Sequence, residues 1–129
     1  MRYIYPAVFT KEEEGYSIRF PDLESCYTSA PTLEEGMDMA VDVLSLVLMD
    51  REDKKEVVPK PSDITGIVCG KNEFTTLVSC DTTEYRKRYG SQAVKKTLSI
   101  PAWLNEMAER EGINFSGTLQ DALKRQLNI

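Results

Sequence analysis

The stretch Val94-Lys95-Lys96-Thr97-Leu98-Ser99-Ile100-Pro101-Ala102-Trp103-Leu104 carries two periodicities in succession. Up to Ile100, apolar and polar residues alternate, as in a strand with one buried face. Leu98 and Ile100 fall on one side, and Lys95, Thr97 and Ser99 on the other. Pro101 suits the first turn of a helix, where its missing N–H has no intrahelical acceptor to lose. From there the apolar spacing becomes three and four. Trp103, Leu104, Met107 and Ala108 share one helix face. Gly112 is placed to end that helix in the left-handed conformation. Asn114 is a capping residue for a second helix with Leu119, Ala122, Leu123 and Leu127 on its apolar face. Ile113 and Phe115 supply apolar contacts at the corner between the helices.

One strand and two short helices in residues 94–129 cannot enclose a core. Chains below about 40 residues rarely do so without staples or a second subunit. The strand also has no partner within its own unit. Pairing with the same strand of a second copy solves both problems. An antiparallel ribbon would lie over four helices, with Leu98, Ile100, Trp103, Leu104, Met107, Leu119 and Leu123 as its core. This arrangement resembles the ribbon-helix-helix family of DNA-binding domains. The resemblance implies a homodimer whose ribbon enters the major groove of operator DNA. Lys95, Thr97 and Ser99 would meet base edges, lysine being suited to guanine acceptors. Asn114, Phe115 and Ser116 would present helix N-terminal N–H groups to a phosphate. The Lys/Thr/Ser set departs from the Gln/Asn/Arg sets common in that family. Any solvent-facing strand also alternates this way, so a tail that only dimerises is the competing reading.

Upstream, Arg2–Phe9 is rich in aromatic and β-branched residues and reads as a strand, with Pro6 marking an edge position or a bulge. Lys11-Glu12-Glu13-Glu14-Gly15 is a charged turn, and residues 16–20 alternate as a second strand. Cys26-Tyr27-Thr28 is a short third strand. Thr32 and Glu35 form a capping box for a helix of about 18 residues. Its apolar positions are Leu33, Met37, Ala40, Val41, Leu44, Val47 and Leu48. Residues 51–63 are a charged loop, 64–69 a short strand, and Phe74–Cys80 a clear one. The expected fold class is α+β: a β-β-β-α-β domain over residues 1–81, a short helix and linker over 82–93, and the C-terminal unit over 94–129. The helix at 84–89 ends in Arg86-Lys87-Arg88. These cations suit the dipole at a helix C-terminus or a DNA backbone.

Composition narrows the function. The 129 residues are 41% hydrophobic and 29% charged, as in globular proteins, and no apolar run approaches the ~20 residues of a membrane span. The N-terminus lacks the features of a signal peptide, so a cytoplasmic location is expected. Cys26, Cys69 and Cys80 are odd in number and far apart, which fits reduced thiols. The chain has no histidine, the commonest general base and metal ligand. No nucleophile–base pair, phosphate loop or metal spacing is present, so neither an enzyme nor a cofactor is expected. Residues 1–93 carry 11 Lys and Arg against 17 Asp and Glu, whereas residues 94–129 carry five against four. An acidic first part suits a basic partner.

The first part also resembles a specific family. Tyr5-Pro6-Ala7-Val8-Phe9, the run Gly15-Tyr16-Ser17-Ile18-Arg19-Phe20-Pro21-Asp22-Leu23, Thr32-Leu33-Glu34-Glu35-Gly36 and Pro59-Lys60-Pro61-Ser62 are similar to the HicB antitoxin domain. The resemblance implies a partly degraded ribonuclease H-like fold without catalytic activity. It also implies a HicA-like toxin that cleaves mRNA as partner, and repression of the operon by the DNA-binding tail. Asp22 and Glu24, in the loop between strands, are the candidate toxin contacts. A ribonuclease H site needs converging carboxylates around Mg²⁺, and these strands carry Tyr, Ile, Val, Phe, Thr and Ser instead. Pairing of dimers into tetramers through the N-terminal domains is left open, as is an orphan regulator with no toxin.

Overall fold

The computed structural model describes all 129 residues. β1 (Arg2–Glu12) and β2 (Gly15–Arg19) form a hairpin closed by the pair Glu12↔Gly15, so the connecting turn is only Glu13-Glu14. Gly15 has φ +132°, and a Cβ there would lie 2.3 Å from the Ala30 carbonyl oxygen. Only glycine accommodates both the backbone conformation and the close approach. β3 (Tyr27–Ala30) pairs with β2, and β4 (Glu73–Asp81) pairs with β1. The sheet order is β3-β2-β1-β4, antiparallel throughout.

β1 is an interior strand over Val8–Thr10, but Pro6 lies in the half that β2 does not reach, so it holds the edge position expected of it and makes no bulge in the β4 ladder. The Lys11 N–H donates to the Asn72 carbonyl at 2.8 Å, one step beyond the pair Thr10↔Glu73. Odd-numbered residues of β1 therefore turn their backbone groups to β4, and even-numbered ones turn theirs the other way. Pro6 is even-numbered, and the β1–β2 ladder stops at Val8↔Arg19. Its missing N–H points to a side where no strand waits.

α1 (Leu33–Asp53) crosses the sheet face that carries Tyr5, Ala7 and Phe9. Thr32 caps it, its hydroxyl accepting the Glu35 N–H at 3.2 Å. The buried helix residues are Gly36, Ala40, Leu44, Ser45 and Leu48. They meet Tyr5, Phe9, Ile18, Phe20, Val78 and Cys80 in one core. Leu33, Met37 and Val41, expected on the core face, are exposed. The small side of the helix lies inward because Gly36 is packed close: a Cβ there would sit 3.3 Å from Ile18 Cδ1 and 3.4 Å from Phe9 Cε2. The helix is also longer than expected, at 21 residues.

Two further expectations change. Residues 64–69 hold no strand but a 3₁₀ turn, Ile64–Gly66, because Asp63 captures the Thr65 N–H at 2.9 Å. α2 (Thr82–Tyr89) starts earlier than expected, capped by Asp81 through the Thr83 N–H at 2.9 Å. After it come α3 (Ala102–Arg110) and α4 (Phe115–Leu127). The chain divides into two compact units, Met1–Gln92 and Ala93–Ile129, so α2 belongs to the first. Residues 94–100, expected as a strand, form no ladder in the single chain. A strand is defined by its partner, and the single chain offers this segment none.

Gly15→Ala forces a Cβ into the Ala30 carbonyl and is expected to destabilise the protein by about 1–3 kcal/mol. Gly66→Ala meets nothing within 4 Å and is expected to stay within about 0.5 kcal/mol of the parent. Urea denaturation of the two variants checks this contrast; equal midpoints would sink it.

Candidate nucleic-acid and partner interfaces

The C-terminal unit is built from local signals. Pro101 stands one residue earlier than expected, as the N-cap of α3 rather than in its first turn. Its carbonyl accepts the N–H groups of Leu104 (3.1 Å) and Asn105 (3.0 Å). At the other end Gly112 adopts φ +67°. The Gly112 N–H donates to the Glu109 carbonyl and the Ile113 N–H to that of Ala108, both at 3.0 Å. This pair of bonds is the Schellman closure, which satisfies carbonyls that the helix end leaves free. Asn114 then caps α4, its Oδ1 accepting the Gly117 N–H at 3.1 Å.

What these helices do not do is bury anything. No residue of 93–129 is buried in the single chain. Leu98, Ile100, Trp103, Leu104, Met107 and Leu123 are all exposed, Trp103 by 63%, and Leu119 is only half-buried. Covering a large apolar side chain gains about 1.5–3 kcal/mol. A unit of this size with such a surface is unstable as it stands. Lys95, Thr97 and Ser99 are exposed on the unpaired segment, and Asn114, Phe115 and Ser116 are exposed at the start of α4.

In the first unit the two acidic candidates part company. Asp22 is engaged: it accepts the Ser62 N–H at 2.9 Å and the Ser62 hydroxyl, tying the loop after β2 to the loop after α1. Both of its oxygens are engaged with Ser62. Glu24 is exposed and carries no such bond, so it is the free carboxylate of the pair.

Sequence reading missed a network centred on Glu52. Its Oε2 accepts the Tyr3 hydroxyl at 2.7 Å and the Thr82 hydroxyl at 3.0 Å. Its Oε1 lies 3.2 Å from the Arg86 guanidinium, which also contacts Asp53 at 2.7 Å and the Met49 carbonyl at 3.3 Å. Arg86 thereby fastens α2 to the end of α1 and is spoken for as a DNA contact. Lys87 pairs with Glu84 within its own helix at 3.2 Å. The only hint in the sequence was a cation run, which does not say what it faces. Burial would raise the Glu52 carboxyl, but the hydrogen bonds from Tyr3, Thr82 and Arg86 outweigh it and hold the group below its ordinary value. Burial pushes Cys26 up to about 12 and raises Cys80 as well, so both are protonated core side chains.

The fold is thus a four-stranded sheet crossed by one long helix, followed by a separate small helical unit. The model of the HicB-like antitoxins of bacterial toxin-antitoxin systems matches residues 5–122. The chain belongs to this HicB-like antitoxin family. Antitoxin HicB 2 of Photorhabdus laumondii is 37% identical over 59 residues, which are 45% of this chain and 42% of that protein. An uncharacterised 14.9 kDa protein of Haemophilus phage HP1 is 27% identical over 104 residues, 78% of this chain and 75% of the phage protein. Among solved structures, a chain of a toxin-antitoxin complex from Streptococcus pneumoniae superposes with a TM-score of 0.64 at 29% identity, covering 98% of this chain and 99% of that one. The likeness to the Streptococcus chain thus extends through the C-terminal unit of this HicB-like chain.

The Glu52 network makes a pH-dependent contribution to stability. A carboxyl with a lowered folded-state pKa stabilises fully above its unfolded value, and that stability is lost as pH falls through the folded value. The unfolded value is close to 4.5. Glu52→Gln is therefore expected to be less stable than the parent at neutral pH, with the gap closing below about pH 4. Thermal midpoints measured from pH 7 to pH 3 test this. A gap that stays constant with pH would remove Glu52 ionisation as its cause.

Proposed function

We propose that residues 1–92 bind and neutralise a HicA-like mRNA-cleaving toxin, and that residues 93–129 form a ribbon-helix-helix homodimer that binds operator DNA and represses the operon. The observation that carries the dimeric half is the exposed seam of Leu98, Ile100, Trp103, Leu104, Met107 and Leu123 on a unit with no buried residue. Two copies related by a two-fold axis give residues 94–100 a strand partner and give the seam a cover. In such a ribbon Leu98 and Ile100 turn inward, and Lys95, Thr97 and Ser99 outward to the major groove. The starts of the two α4 helices, at Asn114, Phe115 and Ser116, then lie free to bind backbone phosphates through their N–H groups.

The toxin-binding half is supported by the family and by charge. The acidic excess of the first part suits a partner whose own surface must hold RNA. Glu24 is the carboxylate available to it. On this reading the protein is not an enzyme, needs no cofactor and acts in the cytoplasm, where its operator and its toxin are both found. Dimeric toxin-bound and free forms can differ in operator affinity, and any such coupling is reciprocal.

The test uses the full chain, DNA from upstream of its own gene, and the neighbouring toxin. The double variant Lys95→Ala, Thr97→Ala is expected to lose at least about 10-fold in DNA affinity. It should remain a dimer by sedimentation and still rescue cells from the toxin. Parent binding should weaken with salt at a slope of about −0.9 per phosphate contacted. DNA binding that survives the double change removes Lys95 and Thr97 as readers. A dimer that never binds DNA favours a tail that only dimerises, and failure to rescue refutes the antitoxin half.

A further inference from the structure

α1 carries three neighbouring rows of residues at four-residue spacing. The first, Gly36, Ala40, Leu44 and Leu48, is buried against the sheet. One position on, Leu33, Met37 and Val41 form a second row, and all three are exposed. One position further, Glu34, Asp38 and Asp42 form a third. Residues four apart lie about 6 Å apart along a helix, so the apolar and acidic rows run side by side for about 12 Å. An apolar row at this spacing is a helix face made for packing, and nothing in the first unit covers it.

The apolar row ends in a cavity. Its next member, Ser45, is buried. Val41 and Ser45, with Ser79, Cys80 and Tyr85, line a hollow of about 290 Å³ between α1, β4 and α2. Four charged residues stand there too. Arg2 donates to Ser79 Oγ at 3.3 Å, Asp81 holds the Met1 ammonium at 3.5 Å, and Glu84 holds Lys87 at 3.2 Å, which leaves Arg88 without an ion pair. The cavity therefore suits an apolar side chain and not a further cation.

The acidic row is of one sign and unused. Glu34, Glu35, Asp38 and Asp42 make no ion pair, and α1 has no cation before Arg51. Acids in a first turn suit the helix dipole, which accounts for Glu34 and Glu35. Asp38 and Asp42 lie beyond that turn, where the dipole no longer favours them.

We infer that this edge of α1 is the docking face for a basic amphipathic helix of the toxin, laid along the apolar row with its cations over the acidic one. Toxin binding as proposed above is the premise, and this is the face that performs it. Apolar anchors at helical spacing fill such a face, and Met37 adapts to what packs on it. Charge selects the partner. A protein that holds RNA presents cations to the phosphates, and the same cations pair with Asp38 and Asp42 and speed the encounter. A second copy of this chain would bring acids against acids. Arg88 sets the direction: the toxin's cations lie toward Glu34 and Asp38, and one of its apolar side chains enters the cavity. These carboxylates add to Glu24, which stands alone on its loop.

The experiment uses the full-length protein and the neighbouring toxin, with affinity measured by calorimetry. The parent is expected to bind. Met37→Lys and Asp38→Lys, both on exposed side chains, are each expected to bind at least about 10-fold more weakly. Leu46→Lys, exposed on the far side of α1, is expected to stay within about 2-fold of the parent. Added salt should weaken the parent more than Asp38→Lys. Failure of the parent to bind would refute the proposed function itself, and the docking face with it. A parent that binds, with Met37→Lys and Asp38→Lys binding as tightly, would overturn the face alone. Equal weakening by Leu46→Lys would do the same, since net charge and not position would then be read. So would a parent oligomer that Met37→Lys makes smaller by sedimentation, which would make a second copy the occupant.

Discussion

The pairing of β1 with β4 is the interaction on which the first unit depends. It runs from Arg2↔Asp81 to Thr10↔Glu73 and joins two segments some 70 positions apart. Its phase decides everything attached to it. Because odd-numbered residues of β1 bond to β4, Tyr5, Ala7 and Phe9 line up with Val78, Thr76 and Phe74 beneath α1. Pro6 is harmless for the same reason. A slip by one residue would aim Pro6 at β4 with no N–H to give and would turn Tyr5 and Phe9 out of the core. Proline thus acts as a register lock in the part of β1 that β2 leaves as an edge, where its missing N–H costs no ladder bond.

Pairing also explains why α2 belongs with the sheet and not with the tail. β4 ends at Asp81, which caps α2 directly, so the helix starts where the ladder stops. Arg86 then reaches back to Glu52 and Asp53. An ion pair at the surface is worth little. Here the Glu52 carboxylate also accepts two hydroxyls from separate elements, Tyr3 of β1 and Thr82 of α2. One side chain therefore joins the beginning of β1, the end of α1 and the beginning of α2. Removing it would leave the Tyr3 hydroxyl without its partner, while Thr82 keeps the Met1 carbonyl and Arg86 keeps Asp53, so the cost falls mainly on the join between β1 and α1.

Local chemistry was legible in the sequence, and rotation and register were not. Thr32, Gly112 and Asn114 were read correctly because a cap acts on neighbours three residues away. The hairpin and β4 were visible as alternation. The rotation of α1 was not, since Leu33, Met37 and Val41 look as suited to a core as Leu44. The helix turned its small side inward because Gly36 lets it approach Phe9 and Ile18. The expected strand at 64–69 failed because the side chain of Asp63 competed locally for the backbone, an effect that composition does not reveal. Of the proposed sites, Asp22 looked like a free loop acid and proved to be a tie between loops. Its partner Ser62 lies 40 positions away, beyond the reach of any local pattern.

Residues 94–100 have no ladder partner, whereas the first half of β1 is paired with β4 and bare on its other side. They differ in what surrounds them. The C-terminal segment carries two lysines and is followed by an uncovered apolar seam. A second copy of the same segment brings equal lysines, but it also brings the apolar cover that the seam lacks. Burial of several large side chains at about 1.5–3 kcal/mol each outweighs exposed like-charge repulsion of about 1 kcal/mol or less. In the proposed dimer, burial of the seam would therefore outweigh the repulsion between the lysines. In β1 the segment Val58–Pro61 already lies beside the half that β2 leaves unpaired.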